Sequence, residues 1–336
     1  MKMIIILSSL AFAFLIGLSK PIRTKYKKLF AVLAISSAIF AIAFPMLTPV
    51  YMKLETASFL AKLNALPECN ILIQDKALIN ELKSNHSFID ITSSDSIKYS
   101  SVSSFSIASE EILLRAKQTN ANEISITSVS EPTSFIYFPY IPGLDEYIRI
   151  FPIHVPLAWV AVLAFVLSLI NSVRYLRTKL QLYDISAYSA ALWGVFFCFG
   201  ATVTGMIWAK HSWGSYWNWD PRETSIFLLL LVYFAYFALR SAITSEQTKA
   251  TLSSVYSIIA GISMPFFIFI IPRIASGLHP GSADNQDAPI ISSGQSILDS
   301  SLLYSFGFSL FAFTLLFFYL YYLQIGKLNR KRHPNN

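Results

Sequence analysis

The residues best suited to chemistry are two histidines, His154 and His279, and a Trp-rich stretch between them in the chain, residues 213–224. The histidines stand in P-I-H-V-P and G-L-H-P-G, and the stretch reads W-G-S-Y-W-N-W-D-P-R-E-T, with three of the chain's six tryptophans. Histidine imidazole is a standard axial ligand of haem iron, whereas a tetrahedral zinc site needs about three or four Cys, His or acidic ligands. A lone histidine at a membrane interface is usually structural or solvated, but two that flank an aromatic surface make bis-histidine ligation of a haem iron chemically coherent.

The first half of the Trp-rich stretch places Tyr216 and Trp217 three and four residues after Trp213. If this segment is helical, the three rings share one face and form a flat surface for a flat, amphiphilic ligand. The alternative is an interfacial aromatic belt, in which Trp and Tyr commonly occur. Such a belt does not explain Trp219, or the adjacent Gly-Ser pair, whose small size would let a flat ligand approach the backbone.

The second half of the Trp-rich stretch predicts the start of a helix. Asp220 is a favourable N-cap, and Pro221 suits the first helical position. The side chain of Glu223, three residues after the cap, can accept a hydrogen bond from the backbone N–H of the cap. This structural role is the stronger expectation for those three residues. Arg222 has no such role, and its guanidinium is suited to a carboxylate of the ligand.

Composition places the chain among membrane proteins. It contains 54% hydrophobic and 13% charged residues, whereas soluble domains carry about 25% charged residues. The net charge of +7 does not indicate nucleic-acid binding, because the basic residues gather in short segments between apolar runs, as membrane topology requires.

Seven apolar runs predict an all-α polytopic membrane protein with about seven transmembrane helices in the lipid bilayer. The runs are residues 3–18, 29–50, 151–170, 185–209, 225–239, 252–271 and 300–323. Four regions are expected along the chain. They are two N-terminal helices in residues 1–50, an extracytoplasmic insert in 51–150, a membrane core in 151–325 and a basic cytoplasmic tail in 326–336.

The insert is rich in Ser, Asn, Asp and Glu and predicts a small α/β domain outside the membrane. Residues 71–74, 88–92 and 123–129 have the pattern of short strands, and residues 76–83 and 106–118 have the pattern of helices. The insert contains no recognisable catalytic set.

Basic residues alternate between the two sides of the predicted membrane. Residues 20–28, 171–184, 240–250 and 327–332 carry five, three, two and four Lys or Arg, whereas residues 210–224 and 273–299 carry two and one. Basic residues near helix ends favour the cytoplasmic side. The insert, the Trp-rich stretch and both candidate histidines should therefore share the outer face.

The Trp-rich stretch resembles the tryptophan-rich WWD signature of the haem-handling proteins of cytochrome c biogenesis, the CcmC/CcsA group. H-V-P at His154 and L-H-P-G at His279 resemble the two outer-face histidines that flank this signature in the CcmC branch. The resemblance covers residues 150–325 and the second helix. The CcsA branch also uses histidines inside membrane helices, and the mid-helix positions here contain none, which favours the CcmC branch.

The resemblance implies a haem-binding and delivery protein rather than a catalyst, in the bacterial inner membrane. Haem b, held non-covalently at the periplasmic face, would be presented to a periplasmic haem chaperone of the CcmE type, with ABC-transporter subunits of the cytochrome c maturation complex as further partners. His154 and His279 would be the axial iron ligands. The other residues implied at the haem are Trp213, Tyr216, Trp217, Trp219, Asp220 and Arg222.

Three other functions stay open beside this one. A CcsA-type haem channel or cytochrome c synthetase subunit is the nearest alternative. A membrane glycosyltransferase also carries a W-W-D signature, but here the Asp is followed by Pro and caps a helix. A transporter with a midplane site would carry ionisable residues within the membrane, of which the predicted helices are nearly free.

Overall fold

The structure is a computed structural model that describes residues 2–19, 22, 24–53, 69–73, 88–92, 95–100, 112–120, 123–130, 136–140, 145–279, 282–283 and 300–332. The chain divides into two compact units. The helical unit comprises Met1–Met46 and Ile150–Asn336, and the sheet unit comprises Leu47–Arg149. All candidate site residues belong to the helical unit.

Seven long helices build the described part of the helical unit. They are α1 (Lys2–Leu18), α2 (Lys27–Leu47), α3 (Phe151–Thr178), α4 (Gln181–Trp213), α5 (Pro221–Ala242), α6 (Glu246–Pro265) and α7 (Ser300–Arg332). Helix α6 continues as a π-helical turn, Phe266–Ile270, and one further helical turn, Ile271–Ile274.

Six of these helices, α2 to α7, are long and apolar enough to cross a membrane. The prediction of about seven transmembrane helices is confirmed for these six. The first apolar run forms a helix of 17 residues, which spans about 25 Å at the α-helical rise, against a hydrocarbon core of about 30 Å. The first predicted span is therefore a helix, but a shorter one than the other six.

Small side chains set the distance between α3 and α4. Ala164 and Ala191 are fully buried, and a Cβ atom added at Gly194 would lie 2.7 Å from Cε1 of Phe165. Phe165 in turn stacks on Tyr233 of α5, with ring centroids 3.9 Å apart. Small residues let membrane helices approach closely and gain van der Waals contacts. Helices α3 and α4 thus form a closely packed pair, and this pair carries His154.

An ion cluster joins four helices at the end of the helical unit where α4 begins. Asp184 of α4 is 1% exposed and accepts two hydrogen bonds from the guanidinium of Arg240 of α5, at 2.6 and 3.0 Å. Arg332 of α7 lies 3.7 Å from the same carboxylate and pairs with Glu246 of α6 at 2.6 Å. The cluster ties α4, α5, α6 and α7 together at the end opposite the Trp-rich stretch.

Pro265 marks the point where α6 departs from regular geometry. Proline has no backbone N–H and disturbs the helix that precedes it, and the π-helical turn after it is an irregularity frequent at functional sites. The chain leaves the last helical turn at Ala275 in an extended conformation. The next residues reach the start of α5, where a Cβ atom added at Gly277 would lie 3.0 Å from Cδ of Pro221.

The sheet unit contains seven described strands in the spatial order β3-β4-β6-β5-β2-β1-β7. The strands are β1 (Val50–Lys53), β2 (Cys69–Ile73), β3 (Phe88–Thr92), β4 (Asp95–Ser100), β5 (Ile112–Asn120), β6 (Glu123–Ser130) and β7 (Phe138–Pro139). β5 is antiparallel to β2 and β6, whereas β1 is parallel to β2 and β7. A 3-10 turn, Asp145–Ile150, leads into α3.

The strands predicted in the insert at residues 71–74, 88–92 and 123–129 are confirmed by β2, β3 and β6. The helix predicted at 106–118 is wrong over residues 112–118, which belong to β5. Hydrogen bonding to a neighbour on each side overrides the local helix preference of Leu, Arg, Ala and Lys. The helix predicted at 76–83 lies outside the described residues. What is described of the insert is a mixed sheet, so the predicted α/β class is not supported there.

Candidate functional site

The Trp-rich stretch begins where α4 ends. Trp213 is the last residue of α4, and Gly214 caps the helix in the left-handed conformation, at φ 81°. Glycine adopts this conformation without steric cost, which makes it the usual residue just after a helix. Residues 214–220 form a loop, so the prediction of one helical face shared by Trp213, Tyr216 and Trp217 is wrong.

The aromatic residues of the stretch fall into two groups. Trp213 packs edge-on against the imidazole of His279, with ring centroids 4.6 Å apart. Trp217 packs edge-on against Trp219 at 5.9 Å and against Phe227 of α5 at 6.1 Å. Trp219 is 72% exposed, which leaves a large aromatic surface open at the end of the helical unit.

Short-range hydrogen bonds hold the loop. Lys210 donates to the carbonyl of Gly214 at 2.9 Å, and its ammonium lies 5.6 Å from the ring centroid of Tyr216. The backbone N–H of Asn218 donates to the carboxylate of Glu223 at 2.8 Å. Glu223 therefore accepts its hydrogen bond from Asn218, two positions before the N-cap, and not from the N-cap residue Asp220. The predicted bond between Glu223 and the cap is thus wrong.

Asp220 is the N-cap of α5, as predicted, and it also joins two distant segments. Its Oδ1 accepts the backbone N–H of Arg222 at 2.9 Å and the Nδ1–H of His279 at 2.8 Å, and its Oδ2 accepts the backbone N–H of Leu278 at 2.6 Å. Burial alone would raise the pKa of Asp220. The hydrogen bond and charge of His279 and the two backbone N–H groups outweigh burial and hold that pKa well below its usual range. Asp220 is therefore ionised at neutral pH.

His154 lies in the first turn of α3 and rests against α4. Its Nδ1 lies 2.9 Å from the carbonyl oxygen of Ala201 and 3.1 Å from the hydroxyl oxygen of Thr204. A Cβ atom added at Gly205 would lie 2.9 Å from Cε1 of the imidazole. Because a carbonyl can only accept, Nδ1 carries the hydrogen and Nε2 keeps its lone pair.

Both histidines thus have the tautomer that suits a metal ligand. Each Nδ1 is engaged, and among the described residues neither Nε2 has a hydrogen-bond partner. The imidazoles of His154 and His279 lie close enough to interact electrostatically, and the guanidinium of Arg222 also interacts with His154. His154 comes from α3, Arg222 from α5 and His279 from the segment that follows α6. The structure therefore brings these three residues close together.

Two arginines add positive charge beside the histidines. Nε of Arg222 is buried and has no hydrogen-bond partner among the residues that the structure describes. Arg273 lies close enough for its like charge to act on Arg222, and within the described part of the chain neither guanidinium forms an ion pair. Sequence reasoning missed Arg273, although its position six residues before His279 on the same predicted face was a signal.

The donor set fits haem in its chemical types. Two imidazole Nε2 atoms with lone pairs are suitable axial ligands, a buried guanidinium atom without a partner suits a propionate carboxylate, and the exposed rings suit a porphyrin face. The hydrogen bond between Asp220 and His279, which the sequence did not predict, links the Trp-rich stretch to a candidate iron ligand.

Comparison with known proteins identifies a family. The profile of CcmC, described as "Heme exporter protein C", matches residues 98–335. Heme exporter protein C of Bradyrhizobium diazoefficiens is 34% identical over 170 residues, 51% of this chain and 62% of that protein. The protein of the same name from Rhodobacter capsulatus is 30% identical over 153 residues, 46% of this chain and 63% of that protein.

The second branch of the group also appears among the relatives. Cytochrome c biogenesis protein CcsA of Manihot esculenta is 31% identical over 114 residues, 34% of each chain. The chain spans less than two thirds of the length of the three relatives named here. Because the profile match covers well over half of the chain and six helices are candidate membrane spans, this multi-pass membrane protein belongs to the CcmC family.

Proposed function

We propose that this protein binds haem b non-covalently at the periplasmic face of the bacterial inner membrane and presents it to a periplasmic haem chaperone of the CcmE type during c-type cytochrome maturation. ABC-transporter subunits of the maturation complex are its proposed membrane partners. The observation that carries this proposal is the bond from His279 to Asp220 at 2.8 Å, because it builds a candidate iron ligand directly into the Trp-rich stretch.

The location of the site within the helices supports the proposed face. The site lies where α4 ends and α5 begins, and the Asp184 ion cluster lies at the opposite ends of the same two helices. The segments at the Asp184 end carry most of the Lys and Arg residues that flank the spans, and basic flanks favour the cytoplasm. This distribution of charge supports the proposal that the site end faces the periplasm.

The proposed roles follow from the atoms that are free to act. Haem bound here would supply an iron, and Nε2 of His154 and Nε2 of His279 would hold it, with their Nδ1 bonds orienting the two rings. Arg222, with Arg273 beside it, would bind the propionates. The exposed indole of Trp219 and the neighbouring Trp217 would hold the porphyrin at the surface, where a chaperone could reach it.

The first test is the absorption spectrum of the purified protein after expression with ample haem. The wild type should show the Soret band of low-spin haem, and the band should weaken in His154→Ala and in His279→Ala, because each change removes one axial ligand. His333→Ala, in the predicted cytoplasmic tail, is the matched control and should keep the band. Wild-type protein that carries no haem would overturn the proposal.

Replacement of Trp217 tests whether this residue acts in the presentation of haem or only in the insertion of the protein into the membrane. Trp217→Ala should reduce haem retention or its transfer to the chaperone several-fold, because the ring supports Trp219, while the amount of protein in the membrane stays at the wild-type level. Trp159→Ala, which removes an exposed ring from α3, should leave transfer unchanged. An insertion defect in Trp217→Ala would instead assign this residue to an interfacial aromatic belt.

The CcsA-type relatives support one alternative, a haem channel with cytochrome c synthetase activity. The two functions differ in the acceptor of haem. Transfer from the purified, haem-loaded protein to a CcmE-type chaperone supports delivery, whereas covalent attachment of haem to an apocytochrome without a chaperone would support the CcsA-type function.

A further inference from the structure

The two candidate iron ligands differ in the group that holds Nδ1. The Nδ1–H of His279 donates to the carboxylate of Asp220 at 2.8 Å. The Nδ1–H of His154 donates to the carbonyl oxygen of Ala201 and the hydroxyl oxygen of Thr204, at 2.9 and 3.1 Å. Both imidazoles present Nε2, but only His279 is bonded to a full negative charge.

The charge on Asp220 is fixed in place and shielded from water. Its side chain is 1% exposed, and the backbone N–H groups of Arg222 and Leu278 hold its two oxygens. A hydrogen bond to a carboxylate is stronger than one between neutral groups, and low exposure keeps it from being weakened by solvent.

The groups around Nδ1 of His154 are neutral by comparison. The hydroxyl of Thr204 donates in turn to backbone carbonyls of α4, at 2.9 Å to Gly200 and 3.0 Å to Ala201. These contacts set the orientation of the ring but carry only partial charges. An acceptor at Nδ1 raises the basicity of Nε2 and strengthens its bond to a metal, and this effect grows with the charge of the acceptor.

We infer that the two axial positions are unequal, with His279 as the stronger iron ligand because of its bond to Asp220, and His154 as the weaker ligand that gives up its position first. This inference rests on the proposed delivery function and adds to it the order in which the two histidines release the iron. Asp220 is then a positioning residue that acts through His279. Such asymmetry suits delivery, because one axial position can open to a receiving group while the other imidazole stays in place.

Asp220→Asn is the central variant, since asparagine keeps the size of the side chain, keeps an oxygen for the N-cap bond and removes the charge. Its NH2 group takes the place of Oδ2 and cannot accept the backbone N–H of Leu278, so the single-histidine variants are the test that leaves Asp220 unchanged. Two quantities are measured on purified protein, the reduction potential of the haem iron and the haem affinity of the apoprotein. Asp220→Asn should raise the potential, because a weaker donor stabilises ferric iron less, and should weaken haem binding about tenfold or more. Thr204→Val, which removes a neutral contact of His154, should change both quantities less.

The single-histidine variants test the ranking without any change at Asp220. His154→Ala should bind haem about tenfold more tightly than His279→Ala, because it keeps the carboxylate-supported ligand. Adding Asp220→Asn to His154→Ala should remove this advantage. In apoprotein labelled with ¹⁵N-histidine, a strongly deshielded Nδ1 proton should be present in the wild type and in Thr204→Val, and absent in Asp220→Asn.

The possible failures can be told apart. Equal haem affinity of His154→Ala and His279→Ala, or a potential that Asp220→Asn leaves unchanged, would overturn the ranking while wild-type haem binding stands. Wild-type protein that takes up no haem would overturn the proposed function and the ranking with it. If Asp220→Asn fails to fold, as circular dichroism of the apoprotein would show, the comparison of the two histidine variants still decides the ranking.

Discussion

Replacement of Asp184 by alanine is expected to lower the free energy of unfolding by about 3–5 kcal/mol, the usual cost of removing one partner from a buried ion pair. Asp184 is 1% exposed and accepts both guanidinium hydrogen bonds of Arg240. Without the carboxylate, the charge of Arg240 stays among the rings of Tyr188 and Tyr236 without the acid that accepts both of its hydrogen bonds. Thermal or denaturant unfolding of the purified protein in detergent measures the loss.

Lys249→Gln is the matched control for this prediction. It removes an exposed pair with Glu246, three residues away on the same helix, and should cost less than about 1 kcal/mol. A double replacement, Asp184→Leu with Arg240→Met, should be less destabilising than Asp184→Ala, because it leaves no unpaired charge. A cost for Asp184→Ala no larger than that of Lys249→Gln would contradict the buried role of this pair.

Gly277→Ala is expected to weaken haem binding about tenfold or more, through displacement of His279. A Cβ atom at this position would lie 2.7 Å from Oδ2 of Asp220 and 3.0 Å from Cδ of Pro221. Asp220 cannot retreat without losing hydrogen bonds to Leu278 and His279, so the segment that carries His279 must move instead. Haem titration of the apoprotein measures the change, and circular dichroism should show an unchanged helix content.

Gly326→Ala is the control for a glycine replacement without a clash. No described residue lies within 4 Å of a Cβ atom at that position in α7, and alanine should favour the helix there by up to about 1 kcal/mol. In an Asp220→Ala background, Gly277→Ala should cost less than in the wild type, because the clashing carboxylate is gone. Wild-type haem affinity in Gly277→Ala would show that the packing of Gly277 against Asp220 does not position His279.

Features that depend on neighbouring residues were predictable. The apolar runs predicted the six long helices, because hydropathy over about twenty residues is enough to specify a membrane span. Asp220 followed by Pro221 predicted the start of α5, since capping involves only the first turn. The sequence also selected both candidate histidines, through their residue type and their place at helix ends.

One wrong prediction had a local cause. The spacing of Trp213, Tyr216 and Trp217 was compatible with a shared helical face, but Gly214 ends the helix directly after the first of them, and glycine just after a helix is a signal that the sequence itself contains.

Features that depend on distant residues were not predictable. The segment at 112–118 has helix-forming residues and becomes a strand, because β2 and β6 supply hydrogen bonds on both sides. Short-range spacing does not reveal this competing arrangement.

Asp220 shows the division most clearly. Its role at the start of α5 is local, and the pattern of residues 220–223 was sufficient to predict it. Its bonds to Leu278 and His279 cross 58 and 59 residues of chain and exist because the turns after Pro265 lead the chain back to α5. The residue types and their approximate places are thus properties of the sequence. The pairing that makes His279 different from His154 is a property of the tertiary structure, because only packing decides which distant donor meets a buried carboxylate.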